Sequence, residues 1–143
     1  MTVELNFENV QVDTELPSLV KHPTPRQLVM WASASGDFVE IHYDKDYAMA
    51  NGLPGVIVHG ALKASFLGQL LTDWIGRKGV LKELELRYEG LDFPGEDLTC
   101  KGKIIEKKVE ENERLVICEV WTENPRGEKT TTGKAIVALP SRG

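Results

Sequence analysis

The sequence predicts an α+β protein in which a curved antiparallel sheet wraps around one long central helix. Two observations predict this class. Apolar side chains recur at three- and four-residue spacing over residues 60–74, which indicates a helix that is apolar around most of its surface. Beyond residue 79 the apolar period changes to two, and four strand-like segments follow one another. Because a helix of this kind is usually buried, we expect the sheet to bury it almost completely.

The first third of the chain predicts short strands and two smaller helices. Apolar residues alternate loosely over residues 1–21, from Val3 onward, which indicates one or two short strands. Thr24, followed by a proline, has the pattern of a helix N-cap, and Gly36 is typical of a helix end. Asp44 is placed to cap a second, short helix that begins at the next residue.

The second half of the chain predicts an antiparallel meander. Four strands are indicated, at residues 83–89, 98–104, 115–122 and 130–139. Turn-forming or polar residues separate these four strands, at residues 92–96, 110–113 and 124–127. Gly133 lies in the middle of the last strand, where a glycine allows another backbone to approach closely.

Composition indicates an ordinary soluble protein, and we assign residues 1–143 to a single domain. Hydrophobic residues make up 41% of the chain and charged residues 27%. The net charge of −5 argues against nucleic acid or an anionic membrane as the main partner. Cys100 and Cys118 lack any metal or redox spacing, and the N-terminal segment lacks the features of a signal peptide. We therefore expect a cytoplasmic protein with reduced, buried cysteines.

The residues suited to chemistry concentrate between the first helix and the long one. Asp37 and His42 lie five residues apart in a segment predicted to be irregular, and His59 and Gly60 stand at the start of the long helix. A carboxylate, an imidazole and a helix N-terminus together suit acid–base chemistry on a carbonyl compound. Taken without further context, however, an aspartate and a histidine in a loop are more often ordinary structural residues.

Two segments carry a resemblance to a known family. They are SGDFVEIH at residues 35–42 and VHG at residues 58–60, and they resemble the MaoC-like hydratases and dehydratases, also known as (R)-specific enoyl-thioester hydratases. The resemblance covers nearly the whole chain and implies the hot-dog fold. The family pattern around the acid is Ser-Gly-Asp-x-Asn-Pro-hydrophobic-His, and here Val39 and Glu40 replace the asparagine and the proline. Gly68 stands where some family members place a serine.

This resemblance implies reversible hydration of trans-2-enoyl thioesters, and the reverse dehydration of (R)-3-hydroxyacyl thioesters. It implies that Asp37 accepts a proton from a water that attacks C3, while His42 positions this water and delivers a proton to C2. Negative charge then grows on the thioester oxygen, where the N–H of Gly60 at the helix N-terminus is the best candidate donor. His59 belongs to the same oxyanion and substrate-binding region, and we expect it to cap or orient the helix start. The resemblance implies no metal and no organic cofactor.

Two other functions and one other site are compatible with the same residues. A non-catalytic hot-dog subunit would bind acyl chains or a catalytic partner, and the departures at Val39 and Glu40 favour it. A hot-dog thioesterase would hydrolyse saturated acyl-CoA, although the order of the motifs does not favour it. A zinc site built from His42, Asp44 and His59 lacks any paired ligand spacing.

The implied partners are an acyl-CoA or acyl-carrier-protein thioester and a second hot-dog subunit. Sheet edges invite pairing, so we expect either a homodimer or a heteromer. Four lysines are candidates for contact with the phosphates of the carrier, although such residues more often form the solvated face of a strand, namely Lys101, Lys103, Lys107 and Lys108.

Overall fold

The fold is built on one antiparallel sheet of five strands. The computed structural model describes residues 4–142, so Val3, placed in a predicted first strand, lies outside the described residues. The strands are β1 (Leu19–Lys21), β2 (Val80–Tyr88), β3 (Leu98–Glu110), β4 (Glu113–Glu123) and β5 (Lys129–Ala138). Their spatial order is β1-β3-β4-β5-β2, with every neighbouring pair antiparallel. The predicted α+β class and the four-strand meander are confirmed.

Three α-helices precede the meander, and local capping explains where they begin and end. They are α1 (Pro25–Ser35), α2 (Lys45–Ala50) and α3 (Gly60–Ile75). The hydroxyl of Thr24 accepts a hydrogen bond from the backbone N–H of the third helical residue of α1, at 3.1 Å. Gly36 ends α1 with a φ of 80°, in the left-handed region that glycine adopts without strain. Asp44 caps α2 in the same way as Thr24 caps α1.

The curved sheet packs against one side of α3. The buried side chains of this helix are Leu62, Lys63, Phe66, Leu67, Leu70, Leu71 and Ile75. The opposite side of α3 is exposed at Ala61, Ser65, Gln69 and Thr72. The expectation of a nearly fully buried helix is therefore wrong for this side, because the sheet curls around only part of the helix circumference.

Three irregularities in register accompany the curvature of the sheet, one of them in the pairing of β4 with β5 between Thr122 and Glu123. The pairing of β2 with β5 shifts between Leu81 and Glu83, and that of β3 with β4 shifts between Ile104 and Glu106. Such bulges bend a strand and increase its twist. Strands β2 and β5 approach closely at Gly133, where a Cβ atom would overlap the carbonyl oxygen of Glu85. The predicted close backbone approach at this glycine is confirmed.

The N-terminal segment contains one short strand, β1, within the predicted one or two, but the alternating residues before it form no ladder. A single 3₁₀ turn covers Phe7–Asn9, and an isolated bridge joins Glu15 to Lys103 before the short strand β1. The backbone N–H of Phe7 donates to the carbonyl of Pro140, near the other end of the chain. These residues pair one at a time with distant segments, so their alternation reflects burial of Val10 and Leu16 rather than a continuous ladder.

Both cysteines lie in the core, as composition predicted. Cys100 and Cys118 are free and buried, and burial raises the pKa of each thiol to about 12. At neutral pH both thiols are therefore protonated and weakly nucleophilic. Among residues 4–142, no helix has the length and apolar character needed to cross a membrane.

Leu70→Ala is expected to lower the free energy of unfolding by about 2–5 kcal/mol. The side chain is only 2% exposed and lies in the middle of the cluster between α3 and the sheet. Thr72→Ala, on the exposed side of the same helix, supplies the control and should change stability by less than about 0.5 kcal/mol. Urea unfolding checks both, and equal effects of the two variants would contradict the packing of α3.

Candidate active site

Asp37 lies in the loop between α1 and α2, where two local hydrogen bonds hold it in position. The N–H of Asp37 donates to the hydroxyl of Ser35 at 3.2 Å, and the carboxylate of Asp37 accepts the N–H of Val39 at 3.3 Å. Side chains of this kind form such local bonds readily, and these bonds set the direction of the carboxylate. One carboxylate oxygen is thereby engaged with the loop, while the other faces His42.

His42 is buried, and a hydrogen bond at one of its two ring nitrogens fixes the orientation of the ring. It ends a 3₁₀ turn over Glu40–His42, and its Nδ1 lies 2.8 Å from the carbonyl oxygen of Ile57. Because a carbonyl only accepts, Nδ1 is the nitrogen that carries a proton. The other nitrogen, Nε2, lies 3.8 Å from Oδ2 of Asp37. This gap exceeds a direct hydrogen bond, and a polar gap of this size suits a bridging water.

The side chain of His59 contacts both His42 and Asp37. Its ring stacks on that of His42, with centroids 3.8 Å apart and planes inclined by 20°. Its Nε2 lies 3.4 Å from the backbone carbonyl oxygen of Asp37, which accepts the bond. His59 occupies the N-cap position of α3, as expected, but its fully buried side chain makes no capping hydrogen bond to the helix. Its contacts show that it supports the positions of Asp37 and His42 instead.

Burial lowers the pKa of His59 from its ordinary value, and the neighbouring imidazole of His42 lowers it further. The neutral form is therefore favoured in the folded protein. The unfolded chain binds a proton to this residue more readily than the folded chain does. The stability that the neutral residue provides is therefore complete above a pH of about 6.5, the unfolded value, and is lost as the pH falls through the lower folded pKa.

His59→Phe is expected to flatten the fall in unfolding free energy between about pH 7 and pH 5, because phenylalanine keeps an aromatic ring in place and does not titrate. Urea unfolding at a series of pH values measures this slope. His22→Gln removes an exposed histidine and serves as the control. A slope identical to that of the wild type in His59→Phe would contradict the burial of a neutral imidazole.

The N-terminus of α3 lies next to this cluster, because His59 directly precedes Gly60. A Cβ atom at Gly60 would come within 3.1–3.2 Å of the ring of Tyr88. The absence of a side chain at Gly60 thus lets strand β2 pack against the helix start. The structure brings all four predicted site residues together, with Gly60 as the first residue of the helix.

A buried ion pair near the same helix start was missed by sequence reasoning. Nζ of Lys63 lies 3.0 Å from Oδ2 of Asp92, and the two side chains are 3% and 5% exposed. Nζ also donates to the carbonyl of Gly90, and the carbonyl of Asp92 accepts the N–H of Val58. One signal was available, since Lys63 interrupts the apolar side of a helix one turn after Gly60. The pair ties the segment after β2 to the first turn of α3.

The residues whose potential ligand atoms lie close together are not the three that the zinc hypothesis named from the sequence. Asp37, His42 and His59 each offer one atom within 4.8 Å of the others, whereas Asp44 caps α2. The stacked histidine rings are nearly parallel, so their in-plane lone pairs do not converge on one point as tetrahedral zinc requires. The stacking therefore disfavours a tetrahedral metal site at these residues.

Three of the four lysines considered for phosphate contact are engaged within the chain. Lys101 pairs with Glu123 at 3.0 Å, and Lys108 pairs with Glu110 at 3.1 Å. Lys107 donates to the carbonyl of Val10 at 2.7 Å. These contacts fit the alternative interpretation, in which the lysines form the solvated face of a strand.

A curved antiparallel sheet around a central helix is the hot-dog fold, and an aspartate and a histidine lie beside the start of that helix. The chain belongs to the MaoC-like domain family, whose model matches residues 7–124. It is 30% identical over 105 residues to the beta subunit of 3-oxo-4,17-pregnadiene-20-carboxyl-CoA hydratase from Mycobacterium tuberculosis, covering 68% of this chain and 81% of that protein.

Two further similarities concern Aeromonas caviae. The (R)-specific enoyl-CoA hydratase of that organism is 26% identical over 115 residues, which cover 80% of this chain and 84% of that protein. A solved structure of an (R)-hydratase from A. caviae, involved in PHA biosynthesis, matches with a TM-score of 0.82 at 25% identity. That match covers 93% of this chain and 99% of the other. The fold and the hydratase family are thus shown.

Proposed function

We propose that this chain catalyses the reversible addition of water to trans-2-enoyl thioesters, forming (R)-3-hydroxyacyl thioesters. The observation that carries the proposal is the 3.8 Å gap between Oδ2 of Asp37 and Nε2 of His42. A water in this gap would hydrogen-bond to both groups. The names of the similar hydratases support a thioester substrate linked to coenzyme A, and an acyl-carrier-protein linkage has the same reacting atoms.

The proton transfers balance within the pair. Asp37 accepts one proton from the water as the water oxygen bonds to C3, and protonated His42 delivers its Nε2 proton to C2. His42 is then neutral and Asp37 is protonated, so transfer of one proton across the gap restores the starting state. The bond from Nδ1 of His42 to the Ile57 carbonyl supports this role, because it leaves only Nε2 to exchange protons.

The start of α3 supplies the electrostatic part of the proposal. During attack, negative charge develops on the thioester oxygen as an enolate. Unpaired N–H groups in the first turn of a helix, together with the helix dipole, favour such charge. We assign the N–H of Gly60 to this oxygen. His59 is assigned to the substrate-binding region through its support of Asp37 and His42, since its own side chain is buried.

We further propose that a second hot-dog subunit, either another copy or a different chain, completes the substrate channel. Strand β2 is an outer strand of the sheet, so one of its edges faces away from β5. Val80, Tyr88 and Leu91, on β2 and just after it, expose apolar surface. The similar protein from M. tuberculosis is itself described as a beta subunit. The buried, free cysteines agree with a reducing compartment, and we place the protein in the cytoplasm.

Incubation with crotonyl-CoA separates the candidate functions. Loss of the enoyl chromophore without release of thiol supports hydration. Release of free thiol would indicate a thioesterase, and no change in either signal would favour a non-catalytic subunit. Light scattering on the same sample tests the assembly, where a fully active monomer would contradict the proposed second subunit.

A further inference from the structure

One tyrosine hydroxyl closes the loop that carries the two proposed catalytic groups. Oη of Tyr43 donates to the backbone carbonyl of Phe38 at 2.7 Å. Phe38 directly follows Asp37, and Tyr43 directly follows His42. This single side-chain hydrogen bond therefore joins the backbone next to Asp37 to the residue next to His42.

The loop is otherwise held by longer local bonds: the N–H of Val39 donates to Oδ1 of Asp37 at 3.3 Å, and the N–H of His42 donates to the carbonyl of Val39 at 3.2 Å. Val39 and Glu40 occupy the two positions where the family pattern has asparagine and proline, so the rigid ring of a proline does not restrict the backbone there. Phe38 and Val39 are both exposed, so core packing does not hold the loop. The side chain of Asp37 is itself 41% exposed. The Tyr43 bond, at 2.7 Å, therefore adds a shorter side-chain link to these local bonds and to the contact of His59 with the carbonyl of Asp37.

We propose that Tyr43 is a positioning residue, whose hydroxyl holds the Asp37 segment at its working distance from His42. This inference depends on the proposed hydratase function. Displacement of a reacting group by about 1 Å can cost on the order of 10²-fold in rate, so a loop restraint of this kind acts directly on turnover. Partial burial, together with the carboxylates of Glu40 and Asp44, raises the pKa of Tyr43 above its ordinary value. The hydroxyl therefore stays protonated and remains a donor over the neutral range.

Tyr43→Phe removes only the donor, and it should lower kcat for crotonyl-CoA hydration by roughly 10- to 100-fold. KM should stay within about threefold, and affinity for a saturated acyl-CoA should not change, because the tyrosine does not contact the acyl chain in this proposal. Tyr47→Phe is the matched control, since Tyr47 is 43% exposed against 42% for Tyr43 and lies on α2, outside the loop. The control should keep the wild-type kcat.

A second measurement tests the restraint itself. The backbone amides of residues 37–39 should exchange with deuterium faster in Tyr43→Phe than in the wild type, and at the wild-type rate in Tyr47→Phe. Unchanged amide exchange in Tyr43→Phe would overturn the inference. If the wild type is active, a kcat of Tyr43→Phe within twofold of the wild-type value would also overturn it. An inactive wild type would instead overturn the proposed function.

Discussion

Asp37→Asn is expected to lower kcat/KM for enoyl-thioester hydration by roughly 10²–10⁴-fold, the usual cost of losing a general base. Asparagine keeps the shape of aspartate and can still hold a water by hydrogen bonds, but it cannot accept a proton. His42→Ala removes the other anchor of the water and should cost a similar factor. Steady-state kinetics with crotonyl-CoA measure each loss.

The double variant tests whether Asp37 and His42 act on one water. Their groups face each other across 3.8 Å, so each is expected to be of little use without the other. The loss in the double variant should therefore be far smaller than the product of the two single losses. Binding of a saturated acyl-CoA should change little in all three variants, because the acyl chain and the carrier are held elsewhere.

Asp44→Asn is the matched control for these variants. Asp44 belongs to the same segment, but its carboxylate caps α2 through the N–H of Tyr47 at 3.0 Å. This control should keep near-wild-type kinetics with at most a small loss of stability. If the two catalytic single losses were below about tenfold and multiplied, the shared-water mechanism would be wrong and the non-catalytic function would be favoured.

The second large effect concerns stability. Asp92→Leu is expected to lower the free energy of unfolding by about 3–5 kcal/mol, because it leaves the Lys63 ammonium buried without its counter-charge. The two groups are 3.0 Å apart and almost completely shielded from water. Replacing both, as Lys63→Met with Asp92→Leu, removes both charges and should restore wild-type stability or exceed it by about 1–4 kcal/mol.

The exposed pair of Lys82 and Glu113 gives the comparison for this effect. Its atoms approach to 2.9 Å, but both side chains are about two-fifths exposed, so its loss should cost less than about 1 kcal/mol. Urea unfolding of the single and double variants measures all of these changes. A double variant as unstable as Asp92→Leu would mean that lost packing, rather than an unpaired charge, causes the effect.

The elements that the sequence predicted well are those determined by nearby residues. Thr24, Gly36 and Asp44 mark helix ends through capping contacts within a few residues, and the period-two alternation places the later strands. The alternating residues before β1 and the exposed side of α3 were predicted less well. Both depend on which distant surface covers them, and periodicity carries no information about that.

The same distinction applies to the site. The sequence motif predicted that Asp37 and His42 lie close together, since the two residues are five positions apart in the chain. The contact of His59 with Asp37 spans 22 residues, and the ion pair of Lys63 with Asp92 spans 29. Both arise because the loop after α1 and the segment after β2 meet at the start of α3. Only the folded chain shows this meeting, so the supporting roles of His59 and Lys63 were not predictable from spacing.

The configuration of the product provides the most direct test of hydration at Asp37 and His42. The wild type and Asp37→Asn are incubated with crotonyl-CoA in parallel, and the 3-hydroxybutyryl-CoA formed is resolved by chiral chromatography. We predict the (R) product from the wild type, formed at least 100-fold faster than by Asp37→Asn. No hydration by the wild type, or equal rates for the two proteins, would contradict the proposed function.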